Sequence, residues 1–147
     1  RIAFAGDRDS CQSFYERWQG YHQAMADNGK PELLLDFKYT TEYYSTADFS
    51  RQLSGLKELP TAFVCANDSI AHSAYMLCFP PYQIYRDLDV TGFDNTRAFI
   101  ASIPHCSTVD IRLDELGQAL GESILWRIQN PHHVCRCLRL TTRPILE

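Results

Sequence analysis

Short apolar runs alternate with longer amphipathic stretches along most of this chain, and that alternation restricts the fold more than any other feature. The apolar runs have the length of single strands and lie at Ile2–Ala5, Leu33–Tyr39, Thr61–Cys65 and Leu88–Phe93. Strands separated by helices form βαβ units, and nearly continuous apolar strands fit a sheet that is covered on both faces. The sequence therefore predicts an α/β fold with a doubly wound parallel sheet flanked by helices.

The stretches between these runs carry apolar residues at helical spacing. The first has them at i, i+4, i+7 and i+11, in Phe14, Trp18, Tyr21 and Met25. This helix is predicted to close at Asn28–Gly29, since glycine commonly ends a helix. A second helix is predicted to be capped by Ser45 or Thr46 and to stop before Pro60, and a third to cover about Ser69–Phe79.

Beyond the fourth strand the pattern predicts a short strand at Ser107–Asp110 and a helix at Leu113–Ile128. The helix carries an apolar ladder every four residues, at Leu116, Leu120, Ile124 and Ile128. Weak alternation of apolar and polar residues predicts a last strand at Val134–Leu140, with Cys135 and Cys137 on one face.

Charge and cysteine content narrow the classes of function. The formal net charge is −4 and no Lys/Arg cluster occurs, so this segment is not expected to bind nucleic acid itself. No apolar run approaches the roughly 18 residues needed to cross a bilayer, so no membrane partner is expected. Several of the six cysteines lie in apolar runs, as Cys65 and Cys78 do. We therefore expect reduced thiols in a cytoplasmic protein and no disulfide framework.

Polar and aromatic side chains collect at the carboxyl ends of the predicted strands, where open α/β sheets bind ligands. Tyr43 and Tyr44 follow the second strand, Asn67 follows the third and Asp94 follows the fourth. Arg17 lies in the second turn of the first helix, and helical side chains lean toward the N-terminus, so its guanidinium is expected to reach the same edge. These groups suit a neutral polyhydroxylated ligand such as a sugar, and they also suit a purine.

Each of these residues also has a purely structural interpretation. Asn67 or the adjacent Asp68 is suited to cap the following helix, and Asp94 with Asn95 is suited to an ordinary turn. Arg17 can be a solvated helix charge, and the two tyrosines can be surface aromatics. Their convergence on one edge of the sheet favours ligand binding over these separate explanations.

A metal site and an enzyme are two further classes that the sequence raises. His132, His133, Cys135 and Cys137 lie close together, but His-His-x-Cys-x-Cys is not a spacing that zinc sites use, so we predict no metal. The sequence contains no G-x-S-x-G elbow, no H-E-x-x-H and no glycine-rich phosphate loop. We therefore expect neither catalysis nor a cofactor.

Five segments of the chain resemble, in order, the motifs of the lac repressor/galactose repressor family of regulators. They are SFYERWQGY at 13–21, PTAFVCAND at 60–68, DVTGFDN at 89–95, Ser107-Thr108-Val109 with Glu115-Leu116-Gly117, and Leu138–Arg143. Each motif is weak alone, but five at natural spacings cover nearly the whole chain. The segment Cys78–Arg86 and the residue Pro144 depart from the family's pattern and blur the local register.

The resemblance implies one lobe of a periplasmic-binding-protein-like domain that senses a small effector. Arg17, Asn67 and Asp94 fall on the family's effector-contacting positions, and Tyr43 or Tyr44 falls near an aromatic contact. The resemblance also divides the fragment 1–147. Residues 1–106 form the core of a second lobe, 107–131 a crossover and a helix that belongs to the first lobe, and 132–147 a returning strand.

The resemblance further implies a homodimer with contacts near Ile70–Leu77 and Thr96–Ala101. DNA binding would belong to an N-terminal helix-turn-helix outside this segment. The alternative is a lobe of a periplasmic sugar-binding protein. Six cysteines would be awkward in such a secreted protein, and its fourth-strand motif more often reads G-[FY]-D-G than the Gly92-Phe93-Asp94-Asn95 of this chain.

Overall fold

The computed structural model describes residues 1–37, 46–78 and 88–147. Its first part alternates strands and helices in the order β1 (Ile2–Ala5), α1 (Gln12–Asp27), β2 (Leu34–Leu35), α2 (Thr46–Ser54), β3 (Ala62–Cys65), α3 (Asp68–Cys78) and β4 (Asp89–Thr91). Its second part contains α4 (Arg97–Ile100), β5 (Thr108–Asp110), α5 (Leu113–Gln129) and β6 (Arg143–Ile145). The predicted order of elements is confirmed as far as α5, apart from the short helix α4, which the sequence pattern did not predict.

The first four strands form a parallel sheet in the order β2-β1-β3-β4. Ala5 of β1 lies opposite Leu35 of β2 on one side and opposite Cys65 of β3 on the other. After β2 the chain crosses back over β1 to reach β3, so the direction of winding reverses between β1 and β3. Right-handed crossovers then place α1 on one face and α2 and α3, which contact each other, on the opposite face. The predicted doubly wound parallel sheet is confirmed.

The core of the sheet is built from aromatic side chains on both of its faces. Phe4, Phe37, Phe49 and Phe63 are each at most 1% exposed. The Phe49 ring lies 4.5 Å from the Phe37 ring and 5.8 Å from the Phe63 ring, centroid to centroid. On the other face α1 buries Tyr21 and Met25. Burying a side chain of this size stabilises the fold by about 1.5–3 kcal/mol, so these residues hold the sheet together.

The end of α1 shows how local sequence fixes an element. Gly29 adopts a φ of 59°, in the left-handed region where a side chain is costly. Its N–H donates to the Ala26 carbonyl at 3.0 Å, and the Lys30 N–H donates to the Met25 carbonyl at 2.9 Å. This pair of bonds is the Schellman motif, which satisfies carbonyls that a helix end leaves without partners. The predicted closure at Asn28–Gly29 is confirmed.

Two strand predictions need correction. The predicted strand at Leu33–Tyr39 is reduced to Leu34–Leu35 within the described residues, which stop at Phe37 on this side. The predicted strand at Val134–Leu140 is wrong, since those residues are exposed and lie outside any strand. The returning strand is instead Arg143–Ile145, antiparallel to β5 with Ile145 opposite Thr108. Alternation alone does not make a strand, because the backbone groups also need a neighbouring strand to pair with.

The helix α5 confirms the predicted helix at Leu113–Ile128 but buries none of its residues. Its ladder residues Leu120, Ile124 and Ile128 are 55%, 60% and 70% exposed. Gly117 and Gly121 on the same helix have no other atom within 4 Å of the position that a Cβ would occupy. The apolar face of α5 therefore lies open in this chain. Within the described residues, no helix combines the length and apolar character that a membrane span needs.

Candidate functional site

The reversal of winding between β1 and β3 is where a doubly wound sheet binds ligands. Arg17, on the second turn of α1, extends over this point. Its Nη1 donates to the carbonyl of Ala66 at 2.6 Å, just beyond β3, and its Nη2 donates to Asp94 Oδ1 at 3.1 Å, beyond β4. The two charged side chains remain 18% and 27% exposed. The structure thus joins Arg17 and Asp94, which lie 77 positions apart in sequence, at one edge of the sheet.

Two aromatic rings fix the orientation of the guanidinium. The Arg17 Cζ lies 3.8 Å from the centroid of the Phe93 ring and 5.6 Å from that of Phe14. A guanidinium over an aromatic face gains about 0.5–2 kcal/mol, according to its exposure to solvent. Held by two rings and two hydrogen bonds, Arg17 is preorganised and is not the solvated surface charge that its sequence also allowed.

Asp94 is held by its backbone in an unusual conformation. Its φ is 109° and that of Asn95 is 58°, both positive values that are uncommon for residues with a side chain. The Asp94 N–H donates to the carbonyl of Val109 at 2.9 Å, which ties this turn to β5. Burial raises the pKa of the Asp94 carboxyl, the nearby Asp68 adds to the rise, and the guanidinium of Arg17 opposes it. Strained turns of this kind concentrate at functional sites.

Asn67 lies at the same edge but has a structural task. Its Oδ1 accepts the N–H of Ile70 at 2.9 Å, which is the bond of a helix N-cap at the start of α3. The side chain is half-buried beside Ala66, whose carbonyl binds Arg17. The capping interpretation of Asn67 is therefore confirmed, and any contact with a ligand would have to come in addition to it. Tyr43 and Tyr44 lie outside the described residues.

The principal residue that the sequence interpretation missed is Asp68. The sequence places it at the end of the third strand as a candidate helix cap and not among the predicted effector contacts, yet its carboxylate is 1% exposed and lies beneath the Asp94 turn. Its Oδ1 accepts the Thr108 hydroxyl at 2.7 Å and its Oδ2 accepts the Thr96 N–H at 2.5 Å. The available signal was Gly92, which lies in the predicted strand Leu88–Phe93 and directly follows the observed β4, because a Cβ there would lie 2.0 Å from Asp68 Oδ1. A glycine in a strand often marks such a close approach.

A cleft of about 370 Å³ opens beside Arg17 and Phe93 and continues past Gly92 to Thr108. That volume lies within the range of small-molecule sites. A larger groove of about 680 Å³ runs between α5 and the segment 135–138, and none of its lining residues belongs to the Arg17–Asp94 pair. Arg17 and Phe93 line the smaller cleft whereas Asp94 does not, so the cleft reaches the candidate site only on the Arg17 side of the pair.

The cysteine thiols and the histidines are not gathered at one place as the Arg17–Asp94 pair is. All six cysteines are free, and burial raises the pKa of Cys78 to about 12 and that of Cys106 to about 11. Such thiols are inert at neutral pH, since the thiolate is the reactive form. In residues 1–37, 46–78 and 88–147, no three His, Cys, Asp or Glu side chains group closely enough to hold a metal ion.

Comparison with known proteins agrees with the observed fold over nearly the whole chain. A family model described as a periplasmic binding protein-like domain matches residues 1–146. The ribose operon repressor of Haemophilus influenzae is 31% identical over 138 residues, which cover 89% of this chain but only 40% of that repressor. The chain thus spans less than half the length of that curated relative.

Solved structures share the fold at lower sequence identity. A LacI family transcriptional regulator from Enterococcus faecium with bound ribose superposes with a TM-score of 0.80 at 21% identity, covering 98% of this chain and 54% of that one. The transcriptional regulator CelR in complex with cellobiose superposes with a TM-score of 0.79 at 21% identity, covering 99% and 45%.

Proposed function

We propose that this chain, which belongs to the periplasmic binding protein-like domain family and resembles part of a LacI-type effector-binding domain, senses a small sugar for a bacterial transcription regulator. The observation that carries the proposal is the Arg17–Asp94 pair at the reversal of the sheet, with Nη2 and Oδ1 3.1 Å apart and both side chains partly open to solvent. A guanidinium and a carboxylate side by side offer paired donors and acceptors to neighbouring hydroxyls.

The site supports a sugar ahead of a purine. A purine is recognised largely by stacking on aromatic faces, and the nearest ring at the pair, Phe93, already has the Arg17 guanidinium on one face at 3.8 Å. Hydroxyl groups need no such face, because they bind to the edges of the guanidinium and the carboxylate. Three of the similar proteins have names that mention a ribose operon, bound ribose or bound cellobiose, which is consistent with this preference.

The proposal assigns residues 1–106 to the core of a second lobe, 107–131 to a crossover and a first-lobe helix, and 132–147 to a returning segment. The exposed ladder of α5 and the groove beside it support this division, because both would be covered by a first lobe. The antiparallel pair of β5 and β6 would then carry the chain between the lobes.

The complete regulator would be a cytoplasmic homodimer that binds DNA through an N-terminal helix-turn-helix outside this segment. The dimer would use α3 and the neighbouring α4, where Met76 is 50% exposed and His72 stacks against Phe99. A sugar that binds one arrangement of the lobes more tightly than another would shift the population of DNA-binding dimers.

The test is calorimetric titration of the full-length regulator with a panel of ribose, other monosaccharides, cellobiose and purines. One sugar is expected to bind, and Asp94→Ala is expected to abolish or strongly weaken that binding. Asp89→Ala is the matched control, because Asp89 is an exposed aspartate at the opposite end of β4. Binding of a purine alone would replace the sugar assignment, and sugar binding that survives Asp94→Ala would remove the pair from the site.

A further inference from the structure

Asp68 is the one carboxylate among the described residues that the core buries completely, at 1% exposed. It is the first residue of α3, and its side chain bonds to Thr96 and Thr108. Removing a carboxylate from water is unfavourable unless hydrogen bonds compensate the lost hydration, so the partners of Asp68 indicate its role.

Three separate elements meet at this residue. Its Oδ1 accepts the hydroxyl of Thr108 in β5, and its Oδ2 accepts the N–H of Thr96, which precedes α4. Its own N–H donates to the carbonyl of Phe93 at 2.9 Å, beyond β4. Asp68 therefore joins α3 to β5 and to the turn that contains Asp94.

The packing around the carboxylate leaves no alternative position for it. A Cβ at residue 92 would lie 2.0 Å from Asp68 Oδ1 and 3.1 Å from its Cγ, so only glycine gives the carboxylate this space. Thr108, which is 3% exposed, packs against the carboxylate on the side away from Gly92. The hydroxyl that it donates to Asp68 also accepts the N–H of Asn95 at 3.3 Å. A movement of β5 relative to α3 must therefore either carry the Asp94 turn with it or break these bonds.

We propose that Asp68 is a positioning residue that couples the crossover strand β5 to the Arg17–Asp94 pair. The inference rests on the proposed function, since it takes the pair as the sugar contact and β5 as the connection between lobes. Asp68 does not touch the sugar. It transmits a displacement of β5 through Thr108 to Thr96 and Phe93, which flank Asp94, so that the lobe arrangement and the geometry of the pair change together.

A test that needs no ligand measures amide exchange at Thr96 by NMR in the full-length protein labelled with 15N-threonine. The Thr96 N–H bonds to Asp68, but the Thr108 hydroxyl also accepts the N–H of the adjacent Asn95, so Thr108→Val is measured in the parent and in an Asp68→Asn background. An effect on Thr96 that runs through Asp68 is expected to disappear in that background, and an effect that persists there would overturn the proposal. Thr108→Val is expected to speed exchange at Thr96 about tenfold, the effect of losing one charged hydrogen bond. Thr108→Ser, which keeps the hydroxyl, is expected to restore it.

Thr61→Val is the matched control, because it removes a threonine hydroxyl at the opposite end of β3, where its partner is the Arg1 carbonyl. It is expected to leave Thr96 exchange unchanged. Unchanged Thr96 exchange in Thr108→Val would overturn the proposal. A second outcome would also overturn it. If Thr108→Val and Thr61→Val speed Thr96 exchange equally and lower the melting temperature, the effect is a general loss of stability.

Ribose titration of the same variants adds the functional arm. Thr108→Val is expected to weaken ribose binding about tenfold at a temperature where circular dichroism shows it folded, and Thr108→Ser is expected to bind as the parent does. Unchanged affinity in Thr108→Val would overturn the positioning role. If the parent protein binds neither ribose nor any other sugar of the panel, the ligand assignment of the proposed function fails, whereas the Thr96 exchange result still decides whether Asp68 couples β5 to the Asp94 turn.

Discussion

Two regions of this chain contain well-formed secondary structure and differ in what covers it. The sheet lobe, residues 1–106, packs its helices on a core of fully buried phenylalanines. The C-terminal arm, residues 107–147, has an equally regular helix in α5, yet Thr108 is its only buried residue. The comparison shows that apolar periodicity specifies a helix locally, whereas its stability depends on a partner for the apolar face.

The largest expected effect concerns the buried core of the sheet lobe and is tested with two adjacent leucines of β2. Leu35 is 2% exposed and Leu34 is 36% exposed, since neighbouring strand residues face opposite ways. Leu35→Ala is expected to lower the free energy of unfolding by about 2–5 kcal/mol and Leu34→Ala by less than about half of that. Urea unfolding measures both. Equal losses would contradict the burial difference between the two positions.

Whether the apolar face of α5 in the C-terminal arm is covered is tested by Ile124→Ala in the full-length protein. If a first lobe covers the ladder of α5, this substitution is expected to cost about 2 kcal/mol or more, as in other apolar cores. Gln118→Ala, on the opposite face of the helix, is the control and is expected to stay within about 0.5 kcal/mol. A negligible cost for Ile124→Ala would mean that α5 is exposed in the whole protein too, and the division into lobes would be wrong.

The smallest expected effect is a difference between the two regions in how the stability contribution of an aspartate depends on pH. Burial raises the pKa of Asp94 in the lobe, so its contribution to stability is complete below the ordinary value of 3.8 and is lost as the pH rises through the raised value. The Arg112 N–H lowers the pKa of Asp110 in the arm, so its contribution is present above 3.8 and is lost only as the pH falls through the lowered value.

The measurement compares the parent protein with Asp94→Asn and with Asp110→Asn in urea unfolding between about pH 4 and about pH 7. The stability difference from Asp94→Asn is expected to shrink as the pH rises, whereas the difference from Asp110→Asn is expected to stay nearly flat in this window. A difference for Asp94→Asn that grows with pH would mean that the Arg17 ion pair outweighs burial.

Most of the fold was predictable because its signals are local. The apolar runs predicted β1 and β3 to within one residue, and β4 lies inside its longer predicted run. Gly29 marked the end of α1. The final strand was not predictable in the same way. Residues 134–140 alternate as a strand does, but the pairing partner of β5 is Arg143–Ile145, and the choice between them depends on tertiary contacts.

The site was predictable in part for the same reason. Arg17 and Asp94 follow from helix geometry and from the rule that ligands bind at the carboxyl ends of strands. The role of Asp68 depends on Thr96 and Thr108, which lie 28 and 40 positions away, so the one sequence signal, Gly92, indicates a close approach without identifying these partners. Tyr43 and Tyr44 remain predictions, because they lie outside the described residues.

The central claim is that the Arg17–Asp94 pair binds the sugar, and a crystal structure of the full-length protein grown with ribose tests it most directly. The account predicts ribose hydroxyls within hydrogen-bond distance of the Arg17 guanidinium and of the Asp94 carboxylate. Ribose bound elsewhere, such as in the groove between α5 and residues 135–138, with the pair still joined to each other and to no ligand, would contradict it.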